Sequence, residues 1–203
     1  MLNKTYKILG IFVKEPWKKF TFKEIKAFAK SKSESYVYGS LNDFVKDDIL
    51  KKENIGDAVV YSLRDNHTAI LNISVAAEFM ANDAKQVPKA GLYSLMSLMP
   101  TKFFTSIITG SYARNKQTKD SDLDVVIISG IDSKKIYAEL KHPAEMSIPP
   151  IHLYVFTEQE FLQMLSDRNP NYGKEISKNN LIIAGAESYY KLIMEAMKNG
   201  FNG

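Results

Sequence analysis

Apolar side chains recur at helical spacing over residues 6–13, and Pro16 closes the stretch, which predicts a first helix. Phe20 and Thr21 introduce a second helix over residues 22–30, where Thr21 and Glu24 form a capping box and Phe22, Ile25, Ala27 and Phe28 make an apolar side. After a polar turn at 31–35, Val37, Leu41, Phe44 and Val45 mark a third helix that lasts until Asp48. Residues 49–50 and 59–63 flank a polar, Gly-bearing loop at 51–57 and predict a two-stranded hairpin. Residues 65–83, with Ile70, Leu71, Ile73, Val75, Ala76, Phe79 and Met80, read as a largely buried helix, and residues 90–99 as another that ends before Pro100. The period then changes. Ile107, Ile108 and Thr109 read as a strand, 123–128 as a second, 133–140 as a helix, and 148–156 as a strand in which Ile151, Leu153 and Val155 alternate with His152, Tyr154 and Phe156. Residues 157–165 are helical up to the Asn169-Pro170-Asn171 break, 181–183 form a short buried strand, and Gly185 opens a last helix over 186–197. No repeat or low-complexity tract interrupts this order.

Composition narrows the classes. With 203 residues, 45% of them apolar, the chain is large enough for one or two cored domains. No stretch is long and apolar enough to span a bilayer, and the charged start does not suit a signal peptide, so no membrane partner and a cytoplasmic location are expected. Cysteine is absent and His67, His142 and His152 are scattered, which excludes disulfides and thiolate sites and leaves an oxygen-bound, magnesium-like ion as the metal to expect. The formal net charge of +4 lies entirely in residues 1–65, and within them residues 1–32 carry 9 Lys against 2 Glu. A basic face there is expected, but not an all-round basic domain.

Three helices followed by a hairpin resemble a winged helix-turn-helix domain. That resemblance implies DNA contact from the start of the third helix, with Ser33, Ser35, Tyr36, Tyr38 and Ser40 nearest the bases and Lys30 and Lys32 toward phosphates. Asp43, Asp47 and Asp48 on the back of the same helix count against it, and a scaffold that only docks or dimerises is the competing use; an oligomer is compatible with the chain.

The chemistry concentrates in residues 103–130. Gly110-Ser111 breaks an apolar run and lets the backbone turn sharply into a short helix from Tyr112, which places backbone N–H groups beside a hydroxyl, as a phosphate requires. Asp122 and Asp124, two apart at the start of a strand, share one face and repel each other unless a cation lies between them. Arg114, Lys116 and Lys119 add positive potential nearby. A calcium loop does not fit, because Val125 stands where its Gly belongs and Ile131 where its Glu belongs. A Ser-Asp pair that merely caps a turn is the plain structural use.

Gly110-Ser111 followed, eleven residues after the Ser, by Asp122-Leu123-Asp124, with Ala113, Arg114 and Ser121 between, resembles the signature of the DNA polymerase β-like nucleotidyltransferase superfamily, closest to its minimal members. Residues 181–190 resemble the end of the same domain. The resemblance implies a mixed sheet flanked by helices and transfer of a nucleoside monophosphate, AMP from ATP first, to an acceptor hydroxyl. Asp122 and Asp124 would hold Mg²⁺, a second ion would activate the hydroxyl, and Gly110, Ser111, Arg114 and Lys116 would hold the phosphates. Antitoxin-type members of that family modify a helical partner protein, so a protein acceptor is among the implications. The family completes its site with a third carboxylate on a later strand. Strand 148–156 has none; His152 takes its place, as a base, as a metal ligand or as a hydrogen-bond partner only, while Glu145, Glu158 and Glu160 flank the strand. The expected architecture is therefore α+β: a winged helix domain over 1–65, a helical connector over 66–100 and a nucleotidyltransferase domain over 101–203. A DNA-binding regulator whose second domain senses a nucleotide without turning it over is the alternative.

Overall fold

A computed structural model describes residues 5–203. The N-terminal part contains α1 (Tyr6–Lys14), β1 (Phe20–Thr21), α2 (Phe22–Phe28), α3 (Glu34–Lys46), β2 (Leu50–Ile55) and β3 (Ala58–Leu63). The capping box is present: Thr21 Oγ1 accepts from the Glu24 N–H and the Glu24 carboxylate accepts from the Thr21 N–H. Helix α2 is shorter than the periodicity predicts, because Lys30 takes a left-handed conformation, φ +49°, that ends it. Helix α3 starts earlier than its apolar stripe, since Ser33 caps it by accepting the Tyr36 N–H.

The hairpin departs most from expectation. Residues 51–55, predicted as loop, pair with β3 from Leu50 opposite Leu63 to Ile55 opposite Ala58, leaving only Gly56 and Asp57 as the turn. Lys51, Lys52 and Glu53 disguise this segment because it is an edge strand, where charged side chains stand in water. Phe20 and Thr21 are a third strand on the other side of β3 rather than a mere lead-in, so the sheet order is β1-β3-β2.

Two helices follow, α4 (His67–Asp83) and α5 (Lys89–Ser97). The remainder contains β4 (Phe104–Ile108), α6 (Gly110–Ala113), β5 (Leu123–Ser129), α7 (Ser133–Glu145), β6 (Ile151–Thr157), α8 (Glu158–Ser166), α9 (Tyr172–Lys178), β7 (Leu181–Ala184) and α10 (Ala186–Lys198). Its sheet is mixed, in the order β6-β5-β4-β7, with β5 and β6 parallel and the other pairs antiparallel. This gives an α+β protein with the expected mixed sheet flanked by helices. Helix α7 outruns its predicted end and takes in Glu145, and α9 is an element that the apolar pattern does not reveal.

Buried side chains collect on both faces of the sheet. Ile107, Val126, Ile128 and Ile182 point into a cluster with Phe161, Tyr189, Tyr190 and Ile193, and that cluster continues through Ile73 and Ala77 of α4 to Leu9, Phe12, Leu41 and Tyr61. Ile108, Val125, Ile127 and Leu153 pack on the opposite face against Leu92, Leu95, Ile136 and Leu140. The alternation along β5 therefore feeds two cores, as a central strand requires. Among the described residues no helix is long and apolar enough to cross a membrane.

Candidate active site

Strands β4 and β5 run antiparallel with Ile108 opposite Val125, and the Thr109 N–H donates to the Asp124 carbonyl at 3.0 Å. The chain thus leaves β4 directly beside the Asp124 side chain. Gly110 then adopts φ +65°, a conformation that glycine enters without strain, and a Cβ placed there would run into the Asp124 carboxylate. The Gly-Ser turn and the second aspartate are therefore packed into contact, which explains why a side chain cannot replace the hydrogen at this position. The turn continues through α6, whose last polar contacts are the Arg114 N–H on the Gly110 carbonyl, 3.3 Å, and the Lys116 N–H on the Ser111 carbonyl, 2.9 Å. Ser111 is half-buried at this corner; Arg114 and Lys116 stand in solvent.

Asp122 lies just ahead of β5 and is exposed, whereas Asp124 is on the strand with 26% of its side chain accessible. Loop 115–122 closes through Ser121, whose Oγ accepts the Thr118 N–H at 2.9 Å; the turn-capping use of Ser121 is thus realised without consuming Asp122 or Asp124. The parallel register of β5 and β6 sets Asp124 opposite His152, with Oδ1 and Nδ1 3.5 Å apart. Burial pushes the Asp124 carboxyl above its ordinary range; His152 pulls it down, Asp122 pushes it up, Arg114 pulls it down and Glu175 pushes it up.

His152 begins an aromatic ladder. The Tyr154 hydroxyl lies 3.2 Å from His152 Nδ1, the two ring centroids are 4.6 Å apart, and Tyr154 in turn packs against Tyr172 of α9 with centroids 4.7 Å apart and the rings tilted by 45°. Burial, then the charge and hydrogen bond of Tyr154, push the Tyr172 hydroxyl far above its usual value, so it is a neutral donor at any physiological pH.

Three acids flanking the strand are elsewhere. Glu158 and Glu160 follow the C-terminal end of β6, whereas His152 is at its N-terminal end, and Glu160 caps α8 through the Thr157 N–H at 2.7 Å. Glu145 closes α7. The carboxylate that does approach is Glu175 on α9, whose Oε1 is 3.7 Å from an Arg114 nitrogen and whose charge reaches Asp124. Sequence reasoning missed it because α9 has no apolar stripe; the available signal was Asn171, a helix cap three residues before Lys174.

Among the described residues no group of three or more His, Asp or Glu side chains is gathered at metal-binding spacing. A hard cation nevertheless fits: Asp124 presents a cradled carboxylate whose charge is disfavoured by burial and by Asp122, and Mg²⁺ is commonly held by one or two carboxylates with substrate phosphates and water completing its shell.

The N-terminal candidates are carried by α3 and by the segment between α2 and α3. Ser35, Tyr36 and Tyr38 are exposed on α3, and Lys32 is exposed just ahead of it. Ser40 is buried and donates to the Tyr36 carbonyl at 2.9 Å, so it cannot face a base; Ser33 is occupied as the cap. Lys30 lines a groove of about 630 Å³ with Lys7, Phe28, Phe79, Met80 and Asn115, between α2, α4 and the loop after α6.

With that geometry established, residues 104–182 match the family model described as the nucleotidyltransferase domain. The match begins at the first residue of β4 and ends within β7, so it takes in all four strands, the Gly110 turn, Asp122, Asp124, His152 and Glu175. Residues 104–182 are thus similar to nucleotidyltransferase domains, whose general chemistry is nucleotidyl transfer from a nucleoside triphosphate. Comparisons with curated proteins and with solved structures found no match.

Proposed function

We propose that the protein is a Mg²⁺-dependent nucleotidyltransferase that moves a nucleoside monophosphate, AMP from ATP, to an acceptor hydroxyl. The observation that carries this is the packing of the Gly110 turn onto Asp124, with His152 in register beside it, inside the segment similar to nucleotidyltransferase domains. Backbone N–H groups of the turn and the Ser111 hydroxyl bind the outer phosphates, and Arg114, now 3.7 Å from Glu175, exchanges that partner for a phosphate. Asp122 and Asp124 would hold the cation, which would supply neutralisation of the triphosphate's charge. The acceptor oxygen forms a bond to the α-phosphorus as the bond to the bridging oxygen breaks and pyrophosphate leaves. His152, its side chain 61% accessible, takes up the hydroxyl proton, and Tyr154 orients its ring.

The test is incubation with each α-labelled triphosphate, Mg²⁺ and cell extract. ATP-derived label on an acceptor, abolished in Asp122→Ala and Asp124→Ala, is expected; binding without transfer from any triphosphate sinks the proposal. His152, in register opposite Asp124 where a carboxylate would complete the site, favours the second reading, a regulator that senses a nucleotide, and that reading expects retention of ATP without pyrophosphate release. In either reading the N-terminal three helices and three-stranded sheet act as a winged helix on DNA, with Ser35, Tyr36 and Tyr38 toward bases and Lys30 and Lys32 toward phosphates. A gel shift in low salt, lost in Tyr36→Ala/Tyr38→Ala, checks this; failure to retard any duplex removes the DNA role.

A further inference from the structure

A cleft of about 500 Å³ opens between α3, the start of α2 and one face of the β2-β3 hairpin. Phe22, Tyr38 and Val59 give it apolar walls. The rings of Phe22 and Tyr38 meet edge to face with centroids 6.5 Å apart, and Tyr38 is 51% exposed, so an aromatic surface stays open on the α3 side. Strand alternation supplies the opposite wall. Lys51 and Glu53 pair with each other at 2.8 Å on one face of β2, so Lys52 projects on the other face, where its cross-strand partner is Tyr61 and Val59 stands two residues before Tyr61 on β3.

Two polar groups of this wall have no partner of their own. Tyr61 is 1% exposed, yet among the described residues its hydroxyl makes no hydrogen bond, and the little of it that remains accessible opens on the cleft. A buried phenol ordinarily finds an acceptor. Burial, then the neighbouring Tyr38, raise this hydroxyl above its ordinary value, so it stays a neutral donor. Lys52 has no carboxylate within ion-pair distance among the described residues, and its ammonium lies 5.9 Å from the centroid of the Tyr38 ring. Glu34, the acid on the walls, is already paired with Lys26 and has 70% of its side chain in solvent. The Ser35 hydroxyl is engaged with that of Ser33 at 3.1 Å. One end of the cleft therefore offers an O–H donor and an uncompensated ammonium, and the rest of it offers rings.

We infer that this cleft binds a small aromatic carboxylate, its ring against Phe22, Tyr38 and Val59 and its two oxygens between the Lys52 ammonium and the Tyr61 hydroxyl. The charge complementarity sets the class. One ammonium and one hydroxyl satisfy a single carboxylate, whereas a di- or triphosphate leaves further negative charge unmet. A cation or a neutral ring leaves the Lys52 charge without a partner. The volume is that of a small-molecule site and accommodates one or two fused rings. The inference depends neither on nucleotidyl transfer nor on DNA contact, and the cleft shares no residue with the Gly110 turn or the aspartates. It gives the N-terminal unit a ligand of its own.

The full chain is titrated at neutral pH with 2-naphthoate and, separately, with 2-naphthalenemethanol, which keeps the rings and lacks the charge. Contact is read by saturation-transfer difference NMR and affinity by isothermal titration calorimetry. Naphthoate is expected to bind about tenfold more tightly than the alcohol, the share of a charge-assisted hydrogen bond. Lys52→Gln is expected to remove that preference and leave the affinity for the alcohol unchanged. Tyr61→Phe is expected to weaken naphthoate about fivefold, the share of one neutral hydrogen bond, without lowering the melting temperature of the free protein, because the hydroxyl has no partner to lose. Naphthoate is expected to raise the melting temperature of the parent chain and not that of Lys52→Gln. No saturation transfer to naphthoate at millimolar concentration, equal affinity for acid and alcohol, or parental naphthoate binding by either variant overturns the inference. So does a Tyr61→Phe protein that melts lower without ligand, since the hydroxyl then serves the fold.

Discussion

Gly110 is the residue at which backbone geometry and site chemistry meet. Its positive φ and the lack of room for a methyl group beside Asp124 act together, so Gly110→Ala is expected to destabilise the protein by about 1–3 kcal/mol in urea unfolding and to abolish triphosphate retention. Asp124 carries a second consequence. Its carboxyl is raised by burial, so in EDTA the folded state binds its proton more tightly than the unfolded state and stability falls as pH rises through the window between the ordinary and the raised value. Asp124→Asn is therefore expected to raise the melting temperature at pH 7 without metal, with the gain vanishing below the ordinary carboxylate range. Such behaviour is characteristic of a group kept for binding. At this scale the Gly-Ser turn and the two aspartates were legible because they are close in sequence and their chemistry is tied to residue type. Glu175 was not, since only the fold carries α9 to Arg114.

At the scale of elements, misreadings have local causes. Strand β2 is polar because it forms an edge, and its charges pair across and along the sheet, Lys19 with Glu53 at 2.8 Å and Lys51 with Glu53 at 2.8 Å. Helix α9 hides for another reason. Gly173 faces Met164 so closely that a Cβ would lie 2.6 Å from it, so a glycine stands where a longer apolar residue would have signalled a helix. The element relies on Asn171, which accepts the Lys174 N–H at 3.1 Å and donates to the Met164 carbonyl at 2.7 Å. Asn171→Ala is expected to cost about 1 kcal/mol in urea unfolding, from the lost cap and the orphaned carbonyl. Because α9 carries both Tyr172 and Glu175, the same variant is expected to weaken triphosphate retention several-fold, measured by equilibrium dialysis. Predicted helix ends missed by a few residues where a cap or a left-handed residue, Ser33 or Lys30, overrides the apolar stripe.

For the whole molecule, long-range contacts join the first helix to the last. Tyr190 of α10 donates its hydroxyl to the Val13 carbonyl at 3.1 Å, and Glu78 of α4 accepts the Ala186 N–H at 3.0 Å. Both tyrosines of α10 are buried, Tyr189 at 2% and Tyr190 at 0% exposure, which assigns them to packing rather than to a nucleobase. Tyr190→Phe is expected to cost about 1–3 kcal/mol by leaving the Val13 carbonyl without its partner. Since one cluster of buried side chains runs from α1 to α10, unfolding of the variant, followed by Trp17 fluorescence and by circular dichroism, is expected to remain one coincident transition. By itself the sequence determined the four strands of the mixed sheet and most helices, because apolar periodicity is written locally, and it determined the acidic pair and glycine turn, because their spacing is short. Tertiary structure alone decided that His152 lies opposite Asp124 and that Glu175 rather than Glu158 or Glu160 approaches the centre. Those juxtapositions depend on strand register and on packing between residues far apart in the chain, and no local pattern encodes them.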